Sequence, residues 1–375
     1  MKKLNVINFH LTNNCNYKCK YCFGKFADSK DLSIDDAKKV VDNICRYFKA
    51  NNIYNGRINL AGGEPLLYKN LNELIDYIVS KGISVSLITN GSLLTEEIIK
   101  SWEEKVSCIG LSVDSISRDI NLKVGRCSKQ NSIEKEKLIA LCAEIHKRNI
   151  RLKINTVVSK LNLHEDFLGI YETIKPDRVK LFQMQIVKGV NDSAKEYEIT
   201  EEEFKKFCSC YSQFNQVVAE EKGTMENSYL MIDPSGKFIL NNKGKYETKG
   251  DCLKEELTNI IIQAPIEQEK FDYRYQNIKK NNMYKKICVF GGHESWIKGI
   301  KNILPNVNFV NYEKNYSDDL VKNADMIWIQ SNAIKHSFYN KVVNTARRWN
   351  VKCQYFKYAG VQKCVQQIIQ STSKC

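Results

Sequence analysis

The chain has 375 residues, 43% apolar and 27% charged, with a formal net charge of +14. This exceeds an ordinary single domain, and no run approaches the ~20 apolar residues of a membrane span, so a membrane-embedded or disordered chain is excluded. Met1-Lys2-Lys3 leads into a strand by Leu4 and leaves no room for a signal peptide, so a cytoplasmic protein with mostly reduced cysteines is expected.

The first predicted strand, Asn5 to Thr12, runs into Cys15-Asn16-Tyr17-Lys18-Cys19-Lys20-Tyr21-Cys22. This C-x3-C-x2-C spacing offers three thiolates for three irons of a [4Fe-4S] cluster and leaves the fourth iron open to an exogenous ligand. A closed zinc site would need a fourth ligand, and the nearest candidate, His10, lies on the preceding strand. Further strands are predicted at Arg57 to Ala61, Ser84 to Thr89, Cys108 to Val113, Arg151 to Val158 and Arg178 to Val187. Helices alternate with them near Ser33 to Ala50, Asn70 to Lys81, Thr95 to Lys105, Ser132 to Arg148, His164 to Ile174 and Thr200 to Glu221, with Ser33 and Thr95 as N-caps. The pattern predicts an α/β fold: a partial (β/α)6 barrel of parallel strands, followed by a hairpin from Ser228 to Leu240 around Asp233-Pro234-Ser235-Gly236.

In a parallel barrel the carboxyl ends of the strands gather the reacting groups. Here those ends carry the three cysteines, Gly62-Gly63-Glu64-Pro65, Asn90-Gly91-Ser92, and Ser112 with Asp114. Period-two alternation sets Ile58, Leu60, Leu152, Ile154, Val179 and Leu181 under the helices and turns their neighbours inward. The inward set holds Asn8, His10, Arg57, Asn59, Lys153, Asn155, Arg178 and Lys180, with no Asp or Glu at an alternating position on those strands. Four cations in a partly desolvated space are costly without an anion of similar charge, and a triphosphate meets that need. Among the remaining thiols, Cys45, Cys108, Cys142 and Cys288 lie in apolar contexts, and Cys208, Cys210 and Cys252 are a poor set for a second cluster.

After Tyr284 a second βα pattern begins: strands Lys286 to Phe290, Phe309 to Tyr312, Met326 to Gln330 and Val351 to Phe356. Helices fall near Ser295 to Ile303, Leu320, Ser337 to Trp349 and Val361 to Ile369. A small Rossmann-like sheet is expected, with Gly291-Gly292-His293 and Ser331-Asn332 at strand ends and His293 and His336 as structural histidines. Residues 285–375 carry 14 Lys and Arg against 5 Asp and Glu, so +9 of the charge lies there. Without a nucleic-acid-binding motif this reads as a solvated basic surface, and nucleic acid is not an expected partner.

The cysteine loop, the diglycine acid and the six strands together resemble the radical S-adenosylmethionine (SAM) enzymes. Residues 4 to about 283 are similar to the viperin branch, above all its prokaryotic members. The likeness is carried by Asn8-Phe9-His10-Leu11-Thr12, Ile58-Asn59-Leu60-Ala61-Gly62-Gly63-Glu64-Pro65, Thr89-Asn90-Gly91-Ser92-Leu93, Ser112-Val113-Asp114-Ser115 with Gly125-Arg126, Lys153-Ile154-Asn155, and Arg178-Val179-Lys180-Leu181-Phe182-Gln183. The appended region resembles an uncharacterised bacterial domain family with a similar diglycine-histidine start.

The resemblance implies a radical-SAM barrel over residues 1–200, a viperin-like extension over 201–284 and the small domain over 285–375. It implies that Cys15, Cys19 and Cys22 bind the [4Fe-4S] cluster and that Gly62, Gly63, Glu64, Asn90, Ser112 and Arg126 hold SAM. Asn8, Arg57, Asn59, Lys153, Arg178 and Lys180 would cradle a nucleoside triphosphate, with Tyr229 near the ribose. The implied reaction takes hydrogen from ribose C4′ of CTP, UTP or GTP and loses the 3′-hydroxyl as water. Its product, a 3′-deoxy-3′,4′-didehydro nucleotide, ends viral or phage RNA synthesis, and a flavodoxin- or ferredoxin-type donor supplies electrons. Arg57 and Ala61 depart from the family's lysine and serine, and the animal enzyme's membrane helix and tryptophan tail are missing. The alternatives are a radical SAM enzyme with another substrate, or a basic nucleic-acid-binding scaffold carrying a structural cluster. The appended domain is expected to sense or channel a nucleotide product, or to tether a partner.

Overall fold

In the computed structural model, β1 (Val6–His10), β2 (Arg57–Ala61), β3 (Ser84–Thr89), β4 (Val106–Ser112), β5 (Arg151–Val158) and β6 (Arg178–Gln183) lie parallel and side by side in chain order. The described residues are 3–276 and 287–373, apart from 27–28, 130, 213, 215, 305–306, 311–315, 325 and 332–333. They fall into two compact units, divided between Asn277 and Ile278. The crossovers are made by α1 (Ile34–Ala50), α2 (Leu71–Ser80), α3 (Glu96–Ser101), α4 (Arg118–Val124), α5 (Lys135–Lys147) and α6 (Leu168–Ile174). Ser33 and Thr95 cap α1 and α3, accepting from Asp36 N (3.2 Å) and Ile98 N (3.3 Å). Ile58, Leu60, Leu152, Ile154, Val179 and Leu181 are fully buried in one core with Val40, Leu74 and Ile145 of the helices, so their strand neighbours point the other way.

The helix expected from Thr200 to Glu221 is corrected. A capping box of Thr200 and Glu203 starts α7 (Glu201–Ser209), but the helix stops there and Val217–Glu220 forms β7, parallel to β6. Phe204 and Phe207 keep helical spacing, whereas the β-branched pair Val217-Val218 favours the pleated edge. The expected hairpin is β8 (Met231–Ile232) with β9 (Lys237–Asn242), extended by the antiparallel β10 (Lys245–Asp251). β8 also pairs in parallel with β1, giving one ten-stranded sheet in the order β10-β9-β8-β1-β2-β3-β4-β5-β6-β7. Extension and barrel thus share one sheet; α8 (Leu257–Gln263) and α9 (Gln268–Gln276) complete the unit.

The smaller unit holds four parallel strands, β11 (Ile287–Phe290), β12 (Asn308–Val310), β13 (Met326–Ile329) and β14 (Lys352–Tyr355), in the order β12-β11-β13-β14. Alternate strand residues serve two cores. Val289, Met326 and Trp328 pack with Ile300 of α10 (Glu294–Ile303) and Val365 of α13 (Val361–Ser373). Phe290, Ile327 and Ile329 pack with Val321 of α11 (Asp318–Lys322) and Val342 of α12 (His336–Arg348). The expected boundary at Tyr284, the strand ends Lys286 and Tyr312, and Asn332 lie outside the described residues. Among the described residues no helix is long and apolar enough to cross a membrane.

Candidate active site

β1 feeds the chain into the cysteine loop, which backbone hydrogen bonds hold on two sides. Gly63 N donates to Thr12 O (2.6 Å) and Glu64 N to Asn14 O (2.8 Å), while Lys18 N donates to Gly125 O (3.0 Å) and Lys20 N to Val124 O (2.9 Å). These approaches demand glycine. A Cβ on Gly63 would lie 2.3 Å from Asn14 O, and one on Gly125, at φ 77°, would lie 2.3 Å from Lys18 O. The diglycine after β2 is therefore a clamp on the loop, and no described hydrogen bond ends on the Gly62 or Gly63 carbonyl.

Cys15, Cys19 and Cys22 are free and part-exposed. They lie close enough that a charge on one raises the pKa of another; burial pushes Cys19 up to about 12 and raises Cys15 as well. Metal binding at such thiols releases their protons. Among the described residues no three His, Cys, Asp or Glu side chains gather round one point as a single ion requires. His10 offers no fourth ligand on that side: its buried ring meets Phe26 edge-on at 4.9 Å and Tyr229 at 6.4 Å. Both its nitrogens lack partners, and burial pushes its pKa down to about 3. The three thiols on a glycine-clamped loop fit a cluster with one open iron.

Beside the loop lies an open cleft lined by Tyr17, Asn90, Ser112, Asn121 and Arg126. Asn90 Nδ2 donates to Asn16 Oδ1 (2.9 Å) and lies 3.9 Å from Cys15 Sγ. Arg126 is ion-paired with Asp114 and reaches Ser112 O at 3.5 Å. Asp114, only 1% exposed, also accepts from Tyr21 OH (2.7 Å) and Val157 N (2.8 Å), tying the cysteine loop, β5 and Arg126 together. Glu64 is fully buried below the cleft, accepting from Thr89 Oγ1 (2.7 Å), Asn90 N (2.8 Å) and Leu66 N (3.2 Å); burial nonetheless raises its pKa. Of the six expected SAM residues, Asn90, Ser112 and Arg126 line the cleft; Gly62, Gly63 and Glu64 do not, and Glu64 meets it only through Asn90 N.

The inward faces of the strands carry the polar row. Register sets Asn8 beside Asn59, Asn59 beside Ser86, Gly110 beside Lys153, Lys153 beside Arg178 and Asn155 beside Lys180. Ser86 donates to Asn59, Asn59 to Asn8 (2.8 Å) and Asn8 to Tyr275 OH (2.8 Å). Gly110 leaves room for the neighbouring lysine, since a Cβ there would lie 2.7 Å from Lys153 Cε. Arg57 Nε and Arg178 Nε are buried without hydrogen-bond partners. Burial lowers Arg57 to about 10 and Lys153 to about 8, and pushes Lys180 well below the ordinary lysine range.

The acid-free interior expected from six strands is corrected by β7. Glu220, 1% exposed, accepts from Lys180 Nζ with one carboxylate oxygen and pairs with Arg274 of α9 through the other. Arg178 Nη2 donates to Arg274 O (3.0 Å). Glu220, Arg274 and Tyr275 are the site residues that sequence reasoning missed. Val217-Val218-Ala219-Glu220 has no period-two alternation to mark the first, and in the polar α9 only Phe271 and Tyr275, at i, i+4, hint at the side that carries the other two. Tyr229 lies between the two halves of the site, edge-on to Phe23 at 5.9 Å and 4.9 Å from the Arg274 guanidinium. Burial raises its hydroxyl far above the usual range.

The Radical SAM superfamily model matches residues 9–174. The S-adenosylmethionine-dependent nucleotide dehydratase of Flammeovirga pacifica is 33% identical over 278 residues, covering 71% of this chain and 91% of its own length. That of Psychrobacter lutiphocae is 32% identical over 292 residues, covering 74% and 96%. The RSAD2 nucleotide dehydratase of Oncorhynchus mykiss is 28% identical over 276 residues, covering 71% and 77%. Among solved structures, Streptococcus suis SuiB bound to precursor peptide SuiA shares the fold at a TM-score of 0.56 and 15% identity, over 79% of this chain and 70% of that one. Native anSMEcpe with bound AdoMet does so at 0.50 and 14%, over 92% and 96%. The superfamily works with a [4Fe-4S] cluster and SAM. Identity at this level across nearly the full length of curated relatives shows that the chain belongs to the viperin-like S-adenosylmethionine-dependent nucleotide dehydratases of the radical SAM superfamily.

Proposed function

We propose that this chain converts a ribonucleoside triphosphate (CTP, UTP or GTP) into its 3′-deoxy-3′,4′-didehydro analogue. The C4′ hydrogen is removed and the 3′-hydroxyl leaves as water, with uptake of one electron and one proton. The observation that carries this reading is the inward row of half-buried Arg57, Lys153 and Arg178 with buried Lys180, which with buried Arg274 has one facing acid, Glu220, among the described residues. Buried cations in excess of their acids call for a polyanion, and guanidinium forks suit phosphate oxygens. When bound and reduced, the cluster and SAM supply a carbon radical able to abstract hydrogen.

The chain's own residues bind and orient. Cys15, Cys19 and Cys22 would hold the cluster. Asn90, Ser112 and Arg126 would meet SAM in the cleft, with Gly62, Gly63 and Glu64 keeping loop and cleft in register. Asn8 and Asn59 would receive the nucleotide beside the phosphate cations. Tyr229, in contact with Phe23 of the cysteine loop and with Arg274 beside the cations, would screen the ribose from water. The electron comes from a flavodoxin- or ferredoxin-type donor, the setting is the reducing cytoplasm, and the product serves as an antiviral, anti-phage chain terminator. Residues 1–200 act as the barrel, 201–284 as its extension and 285–375 as a small Rossmann-like domain.

The test is anaerobic incubation of the cluster-loaded chain with dithionite, SAM and each of the four ribonucleoside triphosphates. A nucleotide lighter by one water, formed together with 5′-deoxyadenosine, is expected from CTP, UTP or GTP. Turnover with none of the four would overturn the reading.

A further inference from the structure

From residue 326 to residue 375 the chain contains eight Lys and Arg and not one Asp or Glu. This stretch supplies β13, α12, β14 and α13, so the β14 edge of the smaller sheet and the helices beside it are of one sign. Among the described residues the smaller unit has a single ion pair, Arg348 with Asp318, at 3.8 Å and exposed on both sides. Lys352 and Lys357 are exposed, and neither is ion-paired with a carboxylate among the described residues. A cationic surface left unpaired in this way attracts polyanions, and the attraction is strong where neighbouring charges add.

The same edge carries aromatic rings in water. Tyr355 and Tyr358 are 42% and 47% exposed, two rings in water within four residues of each other. Tyr355 OH lies 3.3 Å from Tyr339 OH, with ring centroids 6.4 Å apart, and Tyr339 lies 6.2 Å from His336. Lys363 of α13 stands 5.0 Å over the Tyr358 ring. Exposed rings and exposed cations thus share the end of β14 and the chain just beyond it, on a strand that has one neighbour in its sheet among the described residues. A bare polyanion such as heparin needs only the cations; the exposed rings add a preference for ligands with flat faces of their own.

We propose that this edge of the smaller unit binds single-stranded nucleic acid, its phosphates meeting Lys352, Lys357 and Lys363 and its bases stacking on Tyr355 and Tyr358. The proposal stands independently of the reaction assigned to the larger unit. It revises the solvated-surface reading of the basic charge, because the rings that sequence left unplaced are gathered among the cations.

The experiment uses the full cluster-loaded chain and a fluorescent, mixed-sequence single-stranded RNA of about twelve nucleotides, with excess nucleoside triphosphate present to occupy the larger unit's site. Parallel arms carry double-stranded DNA, heparin and phosphatidylserine vesicles. Binding that is tightest for the single strand and falls steeply with salt is expected. Tyr355→Ala with Tyr358→Ala should weaken RNA at least about tenfold while moving heparin less than about twofold. Lys352→Gln with Lys357→Gln should reduce the slope of log K against log salt by about 1.4. Both variants should keep wild-type formation of 5′-deoxyadenosine, and calorimetry should show the smaller unit's transition within a few degrees of wild type, which reports that this unit is folded. Absence of RNA binding, equal or tighter binding to heparin, duplex or vesicles, or RNA affinity within twofold of wild type in both variants would each overturn the proposal.

Discussion

Lys153 can lie across the sheet only because residue 110 has no side chain. Gly110→Ala should displace the lysine and raise KM for the triphosphate by roughly tenfold, the loss of about one charged contact, while SAM affinity stays unchanged; an unaltered KM would show that Lys153 does not touch substrate. The lysine should also set a pH dependence. Burial brings it from 10.5 to about 8, so its ammonium is disfavoured in the folded chain. Between those values the unfolded chain binds more protons, and stability rises with pH. Triphosphate affinity runs the opposite way, because the polyanion prefers the ammonium. KM should climb roughly tenfold from pH 7 to pH 9, as expected for a group of pKa near 8, and Lys153→Arg should remove the inflection. Gly63 makes a different point, since it is not expected to touch iron at all. Its Cβ would strike Asn14 O at 2.3 Å, so Gly63→Ala should lower iron per chain after reconstitution, measured by metal analysis. Full loading would mean the loop tolerates the shift.

Six parallel strands were legible in the sequence because each alternates apolar and polar residues between turns, and the cysteine loop was legible because its spacing has few other uses. β7 was not, since four residues following a well-capped helix look like its continuation until a neighbouring strand offers them hydrogen bonds. Missing β7 meant missing Glu220, and with it the fact that Lys180 and Arg274 already share a counter-charge. Arg274 and Tyr275 were illegible for another reason: α9 is strongly polar, and only the i, i+4 pair Phe271 and Tyr275 marks the side that faces the core. Removing one partner of a buried charge cluster costs about 3–5 kcal/mol, so Glu220→Gln should lower the melting temperature markedly. Inorganic triphosphate should restore more of that loss in the variant than it adds in the wild type, since the anion takes over the neutralising role. Equal shifts in both proteins would detach Glu220 from the phosphate site.

Each unit has a core of its own, one beneath the ten-stranded sheet and one on each face of the four-stranded sheet. Calorimetry of the full chain should therefore show two transitions, with SAM raising only the one that belongs to the larger unit; a single transition moved as a whole by SAM would contradict separate cores. Within the larger unit, a thiol loop, an open cleft and a row of inward-facing, part-buried cations lie along one sheet, with Tyr229 near Phe23 of the loop and Arg274 beside the cations. In the proposed reaction that arrangement would bring a radical source and a triphosphate sugar together, so the most direct measurement follows the hydrogen that would pass between them. With a nucleoside triphosphate deuterated at C4′, 5′-deoxyadenosine carrying one deuterium is predicted by mass spectrometry, alongside a dehydrated nucleotide that has lost it. Unlabelled 5′-deoxyadenosine with the deuterium retained on the nucleotide would contradict the account.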